Sequence, residues 1–222
     1  MTARPVASGH VGRTRLAARS SSEPAAAPTR QRLLDAARAV VEQHGYGGAS
    51  VAAIAERAGV AAGTLYRHFP SKAELFVEVF RDVCEREIAS ATRAAAAADS
   101  AAAKLDAVLA NFARRALANP VLAWALIAEP VDPAIEQVRI DYRRTYTRHV
   151  ERLLRAAIRQ GDAPPQQTAI TAAALVGAGN EVLAGPLSPL ARGGARDDER
   201  ALDTLRLLCR RAAGIEPSVG GG

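Results

Sequence analysis

Between Ser50 and Glu74 the chain reads SVAAIAERAGVAAGTLYRHFPSKAE, and no other stretch limits the fold so tightly. Ser50 can cap a short helix that carries Val51, Ile54, Ala55 and Ala58 at helical spacing. Gly59 breaks that helix and suits a backbone position with positive φ. A second short helix starts around Ala61-Ala62-Gly63 and runs to His68-Phe69, where Pro70 ends it. Ser71 and Glu74, three apart at the head of an apolar run, form a capping box. The helix it opens carries Leu75, Phe76, Val79, Phe80 and Val83 and continues toward Ala98. Two short helices joined by a turn, with Ile54, Ala55 and Val60 between them, describe a helix-turn-helix.

The remainder reads as helix as well. Alanine is abundant while aromatics make up only 4% of the chain, and alanine loses no side-chain entropy in a helix. No convincing alternation of apolar and polar residues suggests a strand. An all-α fold is therefore expected. Thr29 is a plausible N-cap for a first helix carrying Leu33, Leu34, Ala37, Val40 and Val41, with His44-Gly45 as its stop. Leu105, Val108, Leu109 and Phe112 make a stripe ended by Asn119-Pro120, and a short apolar segment around Trp124 stops at Glu129-Pro130. Pro133 opens a long helix that ends at Gly161, another is expected over about 166–184, and a last over 196–213. The resulting division is a disordered basic arm over 1–28, a helix-turn-helix domain over 29–75, a helical regulatory and dimerisation domain over 76–214 and a disordered tail over 215–222.

The net charge of +6 is unevenly placed. Within residues 1–32, Arg4, Arg13, Arg15, Arg19, Arg30 and Arg32 face a single acid, Glu23, so the rest of the chain is close to neutral. A basic tail leading into a neutral body suits a DNA-binding arm. Arg13, Arg15 and Arg19 can reach a narrow minor groove, or the tail can add only salt-sensitive, non-specific attraction. Cys84 and Cys209 are too few and too far apart for a disulfide framework or a metal cluster, and free thiols fit a reducing, cytoplasmic setting. No uninterrupted apolar run approaches the length of a bilayer span, and the N-terminus lacks the apolar core of a secretory signal. That N-terminus superficially resembles an organellar transit peptide, but Pro5, Gly9, Gly12, Pro24 and Pro28 would spoil an amphipathic helix. There is no G-x-S-x-G, no phosphate-cradling glycine loop and no H-E-x-x-H, so an enzyme is not expected, nor a metal or cofactor.

The residues His44-Gly45-Tyr46, Ser50-Val51, Ile54-Ala55, Ala58-Gly59-Val60, Gly63-Thr64-Leu65-Tyr66 and His68-Phe69 closely resemble the TetR/AcrR family of repressors, over about residues 30–76. The resemblance implies a three-helix DNA-binding domain and a helical C-terminal domain that binds a ligand and dimerises, with a fourth helix connecting them. It implies phosphate contacts for Tyr66, His68 and Lys72, and Ser50 can cap and touch phosphate at once. Ala61, Ala62, Gly63 and Thr64 sit where bases are read, small residues bringing the backbone close. Ala52 matches a position that carries a base-reading side chain in some relatives, a capacity absent here. Arg67 can meet a guanine edge or a phosphate, or simply face solvent.

The implied partners are double-stranded DNA, a second copy of the chain and an unknown small-molecule effector, with no membrane. Small residues over 169–184 and a wide apolar stripe from Ala201 to Ala212 suit a homodimer built on the last two helices, which implies a palindromic operator. Phe112, Trp124, Tyr142, Tyr146 and Asn180 are the ligand-pocket candidates, although each can equally serve ordinary packing. His149 reads as a packed core or interface histidine. The function implied is a ligand-released repressor, the alternative being an activator or a ligand-independent regulator with the same DNA-binding domain.

Overall fold

The computed structural model describes residues 23–187 and 198–215. Most of the basic arm, the start of the expected last helix at 196–197 and most of the tail lie outside the described residues. Among the described residues there are nine helices: α1 Glu23–Gly48, α2 Val51–Arg57, α3 Ala62–His68, α4 Lys72–Ala96, α5 Ala101–Ala118, α6 Pro120–Ile127, α7 Pro133–Gln160, α8 Thr168–Leu187 and α9 Asp198–Ala213. The all-α expectation holds.

Polar caps set most of these boundaries. The hydroxyls of Ser50, Ser71 and Ser100 each accept from the main-chain N–H three residues on, at 3.1 Å. Asn119 and Asp132 do the same work ahead of the prolines that open α6 and α7. Gly161, at φ 79°, closes α7 in the left-handed region.

The start of α1 differs from the expectation. The helix begins at Glu23 rather than after Thr29, and it takes in Pro28. Pro28 stands near a helix end whose first four amides have no helical partner, so its missing N–H forfeits a single bond to the Pro24 carbonyl. The preceding alanines favour helix strongly enough to outweigh that loss. At the other end Gly45, with φ 70°, breaks the helix where His44-Gly45 suggested a stop.

Two hydrophobic cores share α4. The first joins Leu33 and Val41 of α1, Ile54 of α2 and Leu65 of α3 to Phe76 and Phe80 of α4. It extends to Ala125 of α6 and to Ile135 and Val138 of α7. The second takes Ala91 and Ala95 from the far end of α4, then Leu105 of α5, Leu154 of α7, Leu175 of α8 and Leu205 of α9. The boundary drawn at 75/76 thus falls inside α4, whose first half packs under the helix-turn-helix. Cys84 and Cys209 are buried free thiols, one in each core.

Against the expectation of no bilayer-length apolar run, the stretch Thr168–Gly185 of α8 is long and apolar enough to cross a membrane by length and composition. It includes Asn180 and Glu181, and Ala172, Leu175, Val176 and Leu183 are buried in the second core.

Candidate nucleic-acid interface and ligand cavity

In the helix-turn-helix the turn is closed by main-chain bonds from Gly59 N–H to the Glu56 carbonyl and from Val60 N–H to the Ala55 carbonyl, both 3.0 Å. Gly59 has φ 67°, and a side chain there would meet nothing within 4 Å. Backbone conformation alone therefore requires glycine at this turn. Leu65 anchors α3 from beneath and is fully buried.

This anchoring turns the expected contact residues outward. Ser50, Ala61, Ala62, Gly63, Tyr66 and Arg67 are exposed, while Thr64 and His68 are half-buried. Ala61 begins α3 without a side-chain cap, leaving the small start of the helix open to an approaching surface. Tyr66 is 51% exposed, too much for a ring packed under its own helix. Arg67 folds back one turn to donate to the Thr64 hydroxyl at 3.2 Å.

Lys72 is engaged in a way its sequence position did not reveal. Its ammonium lies 4.7 Å from the centre of the Tyr46 ring and 5.5 Å from that of Phe76. It also donates to the Tyr46 carbonyl at 3.4 Å. The lysine thus ties the start of α4 to the end of α1 beyond Gly45, with part of its side chain out of water.

Behind this surface a cavity of about 230 Å³ opens among the helices of the second half. Leu109, Phe112, Leu126, Ile127, Leu175 and Val176 supply much of its apolar wall. Of the five pocket candidates, Phe112, Tyr142, Tyr146 and Asn180 line it. Trp124 does not, since it packs against the second core from α6. The three rings stack in series, Phe112 to Tyr146 at 5.5 Å and Tyr146 to Tyr142 at 5.9 Å between centres. Tyr146 donates to the Val108 carbonyl at 3.1 Å, whereas the buried Tyr142 hydroxyl has no hydrogen-bond partner. Burial raises the pKa of both phenols, that of Tyr142 well above the ordinary value.

The wall also holds charged residues that were not among the expected pocket candidates, Glu87, Arg115 and Arg139 among them. Glu87 accepts two hydrogen bonds from Arg115, at 2.7 and 2.5 Å, a fork that raises the arginine's pKa. A signal existed, because Glu87 interrupts the apolar row Val83, Cys84, Ala91 on α4. Arg139 is buried on α7, and burial lowers its pKa even though a hydrogen bond to Glu136 opposes the shift. It donates to Glu136 at 2.9 Å, to the Glu129 carbonyl at 2.5 Å and to the Ala125 carbonyl. Those two carbonyls lie at the end of α6, so Arg139 acts as its C-terminal cap.

Glu129 carries the contact onward. Its carboxylate accepts from the main-chain N–H groups of Tyr46 at 2.9 Å and Gly47 at 2.8 Å. A continuous polar path thus runs from the cavity wall at Arg139, through the loop between α6 and α7, to the turn that leads into α2. Among the described residues no group of three or more His, Cys, Asp or Glu is placed to hold a metal ion. The His149 ring meets Arg152 instead, at 3.1 Å.

An exposed second helix of a helix-turn-helix on a three-helix core, joined by a shared helix to a cavity-bearing helical half, defines a helix-turn-helix protein of two-part build. Residues 33–79 match the model of bacterial regulatory proteins of the tetR family, and residues 98–184 match a tetracyclin repressor-like C-terminal domain. The chain belongs to the TetR family of bacterial transcriptional regulators. The repressor KstR of Mycolicibacterium smegmatis is 40% identical over 97 residues, which is 44% of this chain and 48% of that one. The chain therefore spans about half the length of that relative. The regulator UidR of Escherichia coli is 28% identical over 153 residues, 68% of this chain and 78% of its own. Among solved structures, the fatty acid degradation regulator FadR from Bacillus halodurans superposes with a TM-score of 0.69 at 22% identity, covering 82% of this chain and 94% of that one. FadR from Bacillus subtilis in complex with stearoyl-CoA gives 0.69 at 20% identity, covering 84% and 99%. At these identities the likeness to the solved structures is one of fold. The family and these relatives are regulators of transcription, not enzymes.

Proposed function

We propose that this protein is a cytoplasmic repressor that binds a palindromic duplex operator as a homodimer and is released by a small molecule held in the cavity. The observation that carries the reading is the outward face of α3, where Tyr66 is 51% exposed above a fully buried Leu65. An exposed aromatic hydroxyl beside Arg67 and His68 suits phosphate oxygens, and Ala61, Ala62, Gly63 and Thr64 let the backbone approach base edges. Ser50 and Lys72 flank this face, and Lys72 would turn from the Tyr46 ring to reach a phosphate. The unit over 29–75 would read DNA, and the helices over 76–214 would bind the effector and dimerise.

The homodimer reading is supported by apolar side chains left outside on the last two helices. Ile170 is 65% exposed and Leu208 48%, and Val182 and Leu207 join them. A two-fold axis through this face would set the two α3 helices against successive major grooves. An effector favouring a different spacing would draw the dimer off its operator only to the extent that it binds that spacing better. The bridge from Arg139 through Glu129 to Tyr46 gives that preference a mechanical route.

The test is fluorescence anisotropy on a duplex from the gene's own upstream region, at several salt concentrations and against an unrelated duplex. Sequence-preferring binding that Tyr66→Ala weakens by tenfold or more supports the reading. Equal, steeply salt-dependent binding to both duplexes would defeat it.

A further inference from the structure

The cavity is apolar inside and cationic where it meets solvent. Leu109, Leu175, Val176 and Leu205 line it and are buried, whereas Arg115 and Arg143 line it and are exposed, so its mouth lies beside them. Most of the charged side chains in the wall have partners. Glu87 holds Arg115 through two hydrogen bonds, Glu42 lies 3.7 Å from Arg38, and Arg139 donates to Glu136 at 2.9 Å. Arg143 makes no ion pair or hydrogen bond among the described residues. An uncompensated positive charge therefore stands at the mouth.

A second arginine sharpens the imbalance. Arg139 precedes Arg143 by one turn of α7 in the same wall, is buried, and leaves its Nε without a hydrogen-bond partner. Burial first, and the Arg143 charge in addition, lower the pKa of Arg139. An anion at the mouth relieves that repulsion, and a cation adds to it. A charged head held beside the exposed Arg143 keeps part of its water, so it escapes most of the desolvation that a closed cavity would impose. The planar guanidinium presents a fork of donors that fits the oxygens of a carboxylate or a phosphate. Size limits the body. An apolar cavity of ~150 Å³ holds benzene, so about 230 Å³ suits one ring with a short chain leading to the mouth.

We propose that the cavity binds a compact amphiphilic anion, its apolar body among Leu109, Phe112, Leu175 and Val176 and its carboxylate or phosphate head paired with Arg143. This rests on the reading of the cavity as the effector site and adds the chemistry of what enters it.

The experiment is isothermal titration of the full chain with 4-phenylbutyrate, 4-phenylbutyl phosphate, 4-phenylbutan-1-ol and 4-phenylbutylammonium, using wild type, Arg143→Gln and Arg143→Glu. Wild type binds at least one of the anions about 5-fold more tightly than the alcohol, the upper range of one exposed ion pair, and binds the ammonium most weakly. Which anion leads tells a carboxylate head from a phosphate. Arg143→Gln removes the advantage of the anion and leaves the alcohol unchanged, which also certifies that the variant is folded. Arg143→Glu inverts the order, so that the ammonium binds more tightly than either anion. Ammonium binding as tightly as both anions overturns the proposal on wild type alone, as does an order that survives the charge reversal. An equal loss of alcohol and anion in Arg143→Gln overturns it too, because Arg143 would then shape the cavity rather than hold the head. Binding of none of the four overturns the proposal and leaves operator binding to its own anisotropy test. Adding the leading anion to the protein–operator complex separates the two claims. Arg143-dependent binding without release of DNA leaves the ligand class standing and removes the release mechanism.

Discussion

The carboxylate of Glu129 accepts a hydrogen bond from the main-chain N–H of Tyr46 at 2.9 Å, across 83 residues of sequence. A second bond, from Gly47 N–H at 2.8 Å, makes the contact a fork of two amides on one carboxylate. A side chain at Gly45 would stand 3.0 Å from a Glu129 oxygen, so the carboxylate would have to shift by a few tenths of an ångström, while the φ of 70° by itself favours glycine.

Glu129→Ala is expected to lower stability by about 1–3 kcal/mol, because both amides lose a charged acceptor and only one of them is open to water. Urea titration followed by circular dichroism measures it. A loss below about 0.5 kcal/mol would mean that solvent replaces the carboxylate without cost. In DNA-binding assays the same variant should respond more weakly to whatever ligand releases the wild type.

The Glu87–Arg115 pair should respond asymmetrically. The arginine side chain is 45% exposed, and the glutamate only 11%. Arg115→Ala strands a carboxylate among apolar neighbours and is expected to cost about 1–3 kcal/mol, the upper values for buried pairs being reduced by the arginine's contact with water. Glu87→Gln should cost less, since the released guanidinium can turn to solvent. Equal losses in the two variants would contradict this ordering.

Gly59→Ala isolates a backbone effect. Nothing lies within 4 Å of the added methyl, so its expected cost of about 1–2 kcal/mol comes wholly from placing alanine at φ 67°. A larger loss in chemical denaturation would indicate a clash that the open surroundings do not contain.

His149 predicts a pH dependence of defined sign. Burial, with help from Arg152, holds its imidazole below the ordinary value of 6.5. The unfolded chain therefore takes up this proton first as pH falls. The neutral ring's contribution to stability is complete above about pH 6.5 and is lost as pH falls through the lower folded value. Urea midpoints of wild type should decline over that window more steeply than those of His149→Gln, and parallel declines would assign the effect to other groups.

Local chemistry made much of the fold legible. Ser50, Ser71, Pro133 and Gly161 each act within a few residues of themselves, so their caps and breaks could be placed from spacing alone. The outward face of α3 was equally readable, because the buried Leu65 fixes which side Tyr66 and Arg67 occupy. What escaped depends on contacts across the chain. Lys72 over Tyr46, Arg139 on the end of α6 and Glu129 on the α1 turn unite segments between 10 and 83 residues apart. Trp124 suits a pocket by type, but on α6 it packs against the second core and does not line this cavity. Glu87 was within reach, since a carboxylate in an apolar helical row demands a partner, although the row cannot say that the partner is Arg115.

Because α4 gives Phe76 and Phe80 to one core and Ala91 and Ala95 to the other, neither half can melt without stripping a wall from its neighbour. A headpiece cut at residue 75 would lose the two phenylalanines whose ring centres lie 5.2 and 6.5 Å from that of Tyr46, and would be left with a gap where its floor should be. The minimal autonomous fragment must therefore reach past Cys84, and in calorimetry the intact chain should absorb its heat in one peak rather than two.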